Sequence, residues 1–526
     1  MHNSRLIPFL AVGIAAQATL LAAATVSQPV GEVKRVSLQD ALQAALQNNL
    51  AIEIQRASWE GTRDAGTLNE ESAFELLIGA TARGSWSKTG SMNFSNQLYD
   101  GDQVSVQQDT LSYNNARSVA VTFQKPFIWG GQAQFAYSPS YSGYRNETAI
   151  TLLDPPYSEI LVPSYHNPRP YSGSWSFTYS QNLLKGFGTK ATGGGLVIAR
   201  RGLEAADANF RRAVQDQVAI IESVYWNLVN AQMNLANRRQ ALDIAQRQLK
   251  ENEIRVGTGV LAPIEVTSSE ANVAMQEVAI IQAEAALLNA KDTFVRTVYS
   301  VAERPDEIEL TDAPVLTPLG LDEEDAIKTA LDNRAELLVR RLDLENAKLS
   351  EEIAHSNRKP TLNASASYAG SAISAPALSD INSDLFGFLY PGYSLNLTFS
   401  MPLQNKSARA ADIKARAARR GAELALKDQE LAIILDVRTA YRNLQAAEKS
   451  ITASEKSRIL AQATYDAEQM RFANGLSTNF VVLQRQNDLD NAKTAELNSR
   501  ITYVSSKVAL QQAMGTLLEY RNIQLK

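Results

Sequence analysis

The sequence predicts an α+β membrane protein in which a long helical hairpin occurs twice, each copy joined to its own set of β-strands. One apolar spacing recurs in two distant helices, and proline is missing from long stretches of both. Aromatic residues concentrate in two other segments, where polar and apolar residues alternate. The 526 residues are therefore better described as one elongated body built twice than as several globular domains.

The duplication is clearest where apolar residues recur at alternating steps of three and four, a spacing typical of coiled coils. The first set is Ile221, Val224, Leu228, Ala231 and Leu235, and the second is Val437, Ala440, Leu444, Ala447 and Ile451. The two copies keep one register as far as Gly259 and Gly475. We infer an internal duplication of a helical hairpin.

Composition limits the possible chemistry. The net charge of -5 provides no basic surface for nucleic acid. The chain has no cysteine and three histidines, which excludes disulfides and Cys/His metal cages. No glycine-rich phosphate loop follows a strand, and a Ser–His constellation is not indicated. We therefore predict a protein that is not an enzyme and has no cofactor.

Residues 1–24 are predicted to be a secretory signal peptide. Arg5 supplies the positive charge, Leu6 to Leu21 is an apolar run, and Ala22-Ala23-Ala24 offers a cleavage site. A short membrane anchor is the alternative interpretation. No later stretch of about 18 apolar residues predicts a transmembrane helix, so any contact with a membrane would be made by β-strands.

Each repeat has the same predicted order of a leading helix, a β region, a long helix, a turn and a shorter helix. Leading helices are expected at about Val36–Glu70, with Ser37 as N-cap, and at Leu321–His355. Each long helix has almost 70 residues, or about 100 Å. The predicted divisions are a first repeat 25–301 (β region 74–184, hairpin 189–301), a linker 302–320, a second repeat 321–517 (β region 360–402, hairpin 408–517) and a C-terminal tail 518–526.

The β regions favour transmembrane strands. Ser174 to Ser180 alternates strictly, and polar loops are expected at Ser87–Asn115 and Ser142–Pro170. The first region is longer, which predicts an extra hairpin turning at Phe127–Gly131. One chain offers four to six strands, fewer than the minimum of about eight in a barrel, so several chains would share one. A soluble β-sandwich is the alternative. Candidates for aromatic girdles at the membrane interfaces are Trp86, Tyr137, Trp175, Tyr179, Tyr368, Tyr393 and Phe399. Some of them are expected to face the barrel lumen instead, and alternation alone does not say which.

Two turn motifs carry a family resemblance. They read Ile254-Arg255-Val256-Gly257-Thr258-Gly259 and Met470-Arg471-Phe472-Ala473-Asn474-Gly475, each followed by an apolar helix. With the duplication and the order of elements, the chain resembles the outer membrane efflux proteins of the TolC type. The resemblance implies a homotrimer with one shared β-barrel in the outer membrane and one α-helical barrel, or tunnel, through the periplasm. It also implies docking to a periplasmic adaptor and an inner-membrane pump of the RND or ABC type. The number of strands per trimer, 12 or 18, stays open at this stage.

The resemblance also implies roles for particular positions. The turns correspond to the periplasmic tip that contacts the adaptor, which points to Arg255, Val256, Gly259, Arg471, Phe472 and Gly475. Past the second turn, some relatives place acidic residues at a tunnel constriction, where this chain has Val481, Gln484 and Arg485. Glu265 occupies the corresponding position in the first repeat. It is either part of a cation-binding ring or a solvated residue paired locally.

We therefore predict a passive exit channel of a tripartite efflux or type I secretion system. It would lie in the outer membrane, in contact with lipid, and have a long periplasmic extension opened at its tip by an adaptor. An elongated structural coiled-coil protein of the cell envelope is the alternative, since it shares the signal peptide and the heptads. It does not need strands of alternating polarity in both halves of the chain.

Overall fold

The structure is a computed structural model that describes residues 33–99, 102–153, 158–299, 307–317 and 320–524. The predicted signal peptide and part of the predicted linker lie outside these residues. The first repeat contains β1 (Val33–Val36), α1 (Leu38–Asn48), α2 (Leu50–Ala65), α3 (Leu68–Ser72), β2 (Leu77–Tyr99), β3 (Asp102–Pro126), β4 (Gly131–Leu152), β5 (Ser158–His166), β6 (Tyr171–Asn182), α4 (Thr189–Gly257) and α5 (Ile264–Val298).

The second repeat follows the same plan with a shorter β region. It contains β7 (Glu307–Leu310), α6 (Glu323–Asn333), α7 (Ala335–Ser356), β8 (Thr361–Ala375), α8 (Leu378–Phe386), β9 (Pro391–Ser400), α9 (Lys406–Ala473), α10 (Asn479–Met514) and α11 (Leu517–Tyr520). Helices α4 and α9 have 69 and 68 residues, which is about 100 Å each. The apolar spacing is confirmed as a packing pattern, since Ile221, Leu228 and Leu235 are buried, as are Val437, Leu444 and Ile451.

The leading segments are interrupted helices. Ser37 is confirmed as the N-cap of α1, because its hydroxyl accepts from the Asp40 backbone N–H at 3.2 Å. One continuous helix over Val36–Glu70 is wrong, since Asn49 ends α1 and caps α2 by accepting from two backbone N–H groups. The counterpart, Leu321–His355, divides into α6 and α7 at Arg334 in the same way.

The main hydrophobic core lies about halfway along α4 and α9, where α1 and α6 pack against them. Tyr225 is fully buried there, and its hydroxyl donates to the Asp312 carboxylate at 3.0 Å. The C-terminal segment closes this region, since Arg521 donates to the buried carboxylate of Glu222 at 2.7 Å. Burial raises the pKa of Glu222, and the Arg521 cation opposes that shift.

Strands β1 and β7 form a small parallel pair, and the other described strands form one seven-stranded antiparallel sheet. Its order is β2-β3-β4-β6-β8-β9, with β5 paired to β4. The predicted turn at Phe127–Gly131 is present, and Gly130 has the positive φ of 89° that favours glycine.

The polar loops predicted at Ser87–Asn115 and Ser142–Pro170 are wrong. Most of these residues continue β2, β3 and β4 or form β5, and β3 stays paired with β4 as far as Val106 and Leu152. Strand β6 begins only at Tyr171, so the longer strands project past it. Hydrogen bonding between neighbouring strands overrides the weak β-propensity of serine, asparagine and glycine there.

Candidate functional site: the helical turns and the aromatic sheet face

The two turns that join the long and short helices have the same backbone geometry. Gly259 and Gly475 have φ values of 75° and 71°, and their N–H groups donate to the carbonyls of Val256 and Phe472 at 2.9 and 3.1 Å. The following N–H groups donate to the carbonyls of Arg255 and Arg471, which completes a Schellman motif in both repeats. Both glycines are therefore required by backbone conformation, whatever else the turns do.

Both turns also present apolar side chains to the surface of the chain. Six such residues are exposed in three equivalent pairs: Ile254 and Met470, Val260 and Leu476, and Ile264 and Phe480. These residues were not predicted from the sequence, although their equivalent positions in the two motifs were a visible signal. Val260 and Leu476 are 74% and 73% exposed. Each turn therefore carries an apolar patch that its own hairpin does not cover.

Arg255 and Phe472 join the two turns to each other. The Arg255 guanidinium lies 4.8 Å from the centre of the Phe472 ring and donates to the Phe472 carbonyl at 3.3 Å. Phe472 is only 4% exposed, so its side chain is not available for the adaptor contact expected from the sequence. Val256 is half-buried, and Arg471 is exposed and pairs with Glu468 at 3.5 Å. Arg471 and the two glycines remain at the surface.

A cluster of buried amides, which we call the amide cluster, lies beside the turns. Asn252 of α4 donates to Ser269 of α5 at 2.8 Å and to Asn479 of α10 at 2.9 Å, and Gln248 donates to Asn252 at 3.3 Å. Asn479 donates to Ser269 at 3.1 Å. Asn252 and Asn479 are fully buried. Near the tip, the two repeats are therefore joined by polar contacts beside a small apolar cluster, in which Ile244 and Leu261 of the first repeat pack against Tyr465, Phe472, Val482 and Leu489 of the second.

The predicted constriction residues lie at the starts of α5 and α10. The Glu265 side chain is half-buried, and its carbonyl accepts from Ser269 at 3.0 Å and from Asn479 at 3.4 Å. Val481 is half-buried in the first turn of α10, and Gln484 is exposed. Arg485 pairs with Asp488 at 3.0 Å on the same helix. Glu265 therefore contacts the start of α10 through its backbone carbonyl, which accepts from Asn479.

A buried carboxylate lies farther along α10. Asp490 is 8% exposed, and one of its oxygens has no hydrogen-bond partner among the described residues. Burial raises the pKa of Asp490, and the nearby cations Lys493 and Arg238 oppose this shift. The carboxyl group of Asp490 in the second hairpin therefore binds a proton more readily than the carboxyl group of an exposed aspartate.

The pairing register places all seven predicted girdle aromatics on one face of the sheet. Residues directly opposite one another on paired strands share a face, as do residues two apart on one strand. Tyr137 lies opposite Trp175, and Tyr368 lies opposite Tyr393. Trp86 lies far toward the distal ends of the strands, and Phe399 lies at the other end. The seven residues therefore share one face, but they lie at several levels along the strands and do not form the two separate rows expected of two aromatic girdles.

Helix α8 covers part of this aromatic face. Ile381 and Leu385 are fully buried against it, and the Trp175 indole N–H donates to the Leu385 carbonyl at 3.0 Å. Trp175 is therefore only 8% exposed, and its contact with any membrane would be limited by α8. The Tyr137 hydroxyl is 2.5 Å from an Asn382 side-chain oxygen. At the opposite extreme, Tyr393 is 80% exposed.

Within the part of the chain that the structure describes, no helix has the length and apolar character needed to cross a membrane. Among the same residues, no three acidic or histidine side chains converge in a way that could hold a metal ion.

In this chain long paired helices continue into a β-sheet, and solved structures share this elongated fold. VceC of Vibrio cholerae is 16% identical with a TM-score of 0.62, covering 91% of this chain and 96% of that chain. CmeC of Campylobacter jejuni, an outer membrane channel, is 13% identical with a TM-score of 0.62, covering 91% and 86%. At these identities the likeness shows the fold alone.

Sequence comparison adds the family. The family model described as outer membrane efflux protein matches residues 142–296 and 326–516. The outer membrane protein TolC of Salmonella enteritidis is 24% identical over 335 residues, which is 62% of this chain and 66% of that protein's length. The chain belongs to the outer membrane efflux protein family. It is a protein of the outer membrane with an elongated helical part in the periplasm.

Proposed function

We propose that the chain is the exit channel of a tripartite efflux or type I secretion system and conducts small molecules or polypeptides passively outward. Three copies would share one β-barrel and one helical tunnel. A periplasmic adaptor and an inner-membrane pump, of the RND or ABC type, would complete the system. The channels of this family support a conducting rather than an enzymatic role.

Two edge strands with unpaired backbone groups, together with exposed apolar side chains, support the trimer. Among the described strands, β2 pairs only with β3, and β9 pairs only with β8, so each end of the described sheet has a row of backbone groups without a partner strand. Leu395 and Leu397 on β9 are 83% and 68% exposed. Neighbouring copies that join β9 to β2 would pair both edges, and lipid would cover the apolar side chains.

The contact between the two turns carries the proposal of a gate at the periplasmic tip. Arg255 and Phe472 form one cation–π contact with one hydrogen bond, and the amide cluster lies beside them. Such polar contacts exchange for water when the helices separate, so each costs only about 0.5–1.5 kcal/mol to break. An adaptor that binds the separated turns better than the joined turns would therefore open the tip. Glu265 and Val481 would line the narrow part just inside.

The exposed apolar patches support docking of the adaptor at both turns. A groove of about 480 Å³ between the ends of α4 and α9 is lined by Ile254, Arg255, Met470 and Phe472, among others. Val260 and Leu476 lie at the turns themselves, where an amphipathic helical hairpin of the adaptor would cover them. Each chain then offers two equivalent docking patches.

Single-channel recording in planar bilayers tests the gate. Arg255→Ala removes both the cation–π contact and the hydrogen bond, and we expect a higher open probability than in the wild type. Arg471→Ala is the matched control, because Arg471 occupies the equivalent position but pairs only with Glu468 on its own helix. If the two variants conduct alike, the Arg255–Phe472 contact does not hold the tip closed.

Export in cells tests the docking patches. Leu476→Asp places a charge at the second turn, and we expect a loss of resistance to exported compounds while the trimer and its conductance persist. Leu161→Asp is the control, since Leu161 on β5 is 77% exposed and lies in the sheet. Normal export in Leu476→Asp would exclude docking at this turn. Release of the wild-type protein from membranes by carbonate would instead favour the structural coiled-coil alternative.

A further inference from the structure

One row of the sheet carries an apolar or aromatic side chain on every strand of the six-stranded path. The register places these residues directly opposite one another, strand by strand. The row consists of Ile78, Phe123, Phe135, Phe177, Tyr368 and Tyr393. The extra strands β2 and β3 therefore continue the aromatic face of the other four strands without interruption.

The adjacent row has the opposite character. From β3 to β9 it contains Gln124, Gln134, Thr178, Ser367 and Ser394, which point to the other face because side chains alternate along a strand; its β2 member is the apolar Leu77. The same alternation continues on β2, where Ala80 and Ala82 share the aromatic face and Thr81 and Arg83 share the polar one. Strands β2 and β3 thus have the two-faced pattern that separates lipid from an aqueous lumen.

The aromatic face also has a polar boundary on these strands. Lys88, Tyr113 and Arg145 lie in one row on that face, and the Lys88 ammonium is 5.1 Å from the centre of the Tyr113 ring. Between Ile78 and Trp86 the face of β2 carries no charged residue, and on β3 the same face carries Arg117 opposite Gly84, close to the polar boundary. On β2 this interval is about nine residues long, which a tilted strand needs to cross the hydrocarbon layer of a membrane.

We infer that β2 and β3 belong to the membrane wall, so that three copies close a barrel of eighteen strands with lipid against Ile78, Phe123 and Phe177, whereas α8 covers Phe135 and Tyr368 of the same row. This inference rests on the proposed trimeric channel. Strands β4, β6, β8 and β9 alone would give twelve, but β4 is paired with β3 on its other side and would have no free edge for closure. A twelve-stranded barrel would also leave the apolar side of Phe123 in water.

The number of strands sets the width of the outer pore. Barrels of about eight strands are filled by side chains, whereas barrels of about 16–18 strands leave an aqueous channel. Serine, threonine and glutamine side chains of the polar face would line this channel. The outer part would then not limit the passage of bulky cargo, and selection would fall to the helical tip.

Spin labels at engineered cysteines test the inference, because the chain has no cysteine of its own. Four single variants are compared in the purified trimer in lipid vesicles: Phe123→Cys and Gln124→Cys on β3, and Phe177→Cys and Thr178→Cys on β6. Collision with oxygen, which concentrates in lipid, and with a water-soluble nickel chelate is measured for each label. We expect the labels at 123 and 177 to favour oxygen, and those at 124 and 178 to favour the chelate.

The two outcomes against the inference are distinct. If the label at 177 favours oxygen while the label at 123 favours the chelate, β2 and β3 lie outside the wall and the eighteen-stranded barrel is excluded. If the label at 177 also favours the chelate, the membrane barrel itself is wrong, and the proposed function fails with it. Each variant is used only if it migrates as the wild-type oligomer, which separates misfolding from misplacement.

Discussion

Replacing Asn252, which joins α4 to α10 at the tip, should favour separation of the tip helices far more than replacing another asparagine that joins α4 to α10 farther from the tip. Asn252→Ala takes away the acceptor of Gln248 and the donor to Asn479 and Ser269, so three buried groups lose a partner. Each such group costs about 1–3 kcal/mol, and water entering beside the turn offsets part of this. We expect a net cost of about 2–4 kcal/mol, equivalent to a tenfold or larger increase in separation of the tip.

The matched control is Asn230→Ala. Asn230 of α4 also donates to α10, at 3.3 Å to Asn498, but this contact is exposed to solvent. Its loss should cost less than about 0.5 kcal/mol. Hydrogen exchange of peptides that contain the two turns, with single-channel recording on the same samples, measures both effects. Equal exchange rates and equal conductance in the two variants would refute the view that the amide cluster holds the tip together.

Three further predictions concern the second turn, a buried carboxylate and the C-terminal segment. Gly475→Val forces a β-branched residue to φ 71°, and we expect it to impair gating while the trimer still assembles. Gly421→Ala, within helix α9, is the control and should leave the melting temperature unchanged or raise it. The raised pKa of Asp490 means that its contribution to stability falls as pH rises above about 4, so Asp490→Asn should raise the melting temperature at pH 7 and lose this advantage in acid. Arg521→Met leaves Glu222 buried without its cation and should cost about 3–5 kcal/mol, much of it recovered by adding Glu222→Gln.

The sequence predicted the parts of the fold that follow from periodicity. The steps of three and four that include Leu228 and Leu444 correspond to a buried surface, because a helix presents such positions on one side. Strand alternation did not decide which of the seven aromatics share a face, and only the pairing register places them together. The break at Asn49 was missed, since the residues on either side continue the helical pattern and only the capping geometry shows the interruption.

Other features could not be obtained from local patterns. The strands beyond Ser87 are mostly polar and carry only scattered apolar residues such as Met92 and Phe94, so neither apolar alternation nor β-propensity distinguishes them clearly from loops, and their pairing partners decide their conformation. The burial of Phe472 depends on Arg255, a residue from the other repeat. The amide cluster likewise joins residues distant in sequence, and buried asparagines resemble exposed ones until the helices are packed.

Because the hairpin is duplicated, the two turns have matching exposed residues, but their less exposed residues differ. The exposed triplets around the turns match in chemistry, but the buried positions differ: Phe472 corresponds to Val256, and Asn479 corresponds to Pro263. Val256 offers no ring to a guanidinium, so Arg471 pairs with Glu468 on its own helix while Arg255 reaches across to the second repeat. Each chain therefore has one Arg–aromatic contact between its hairpins but two apolar patches for a partner. A partner that binds both patches alike would still act on contacts that lie between the repeats, namely the Arg255–Phe472 contact and the amide cluster, which confines the conformational change to the boundary between the repeats.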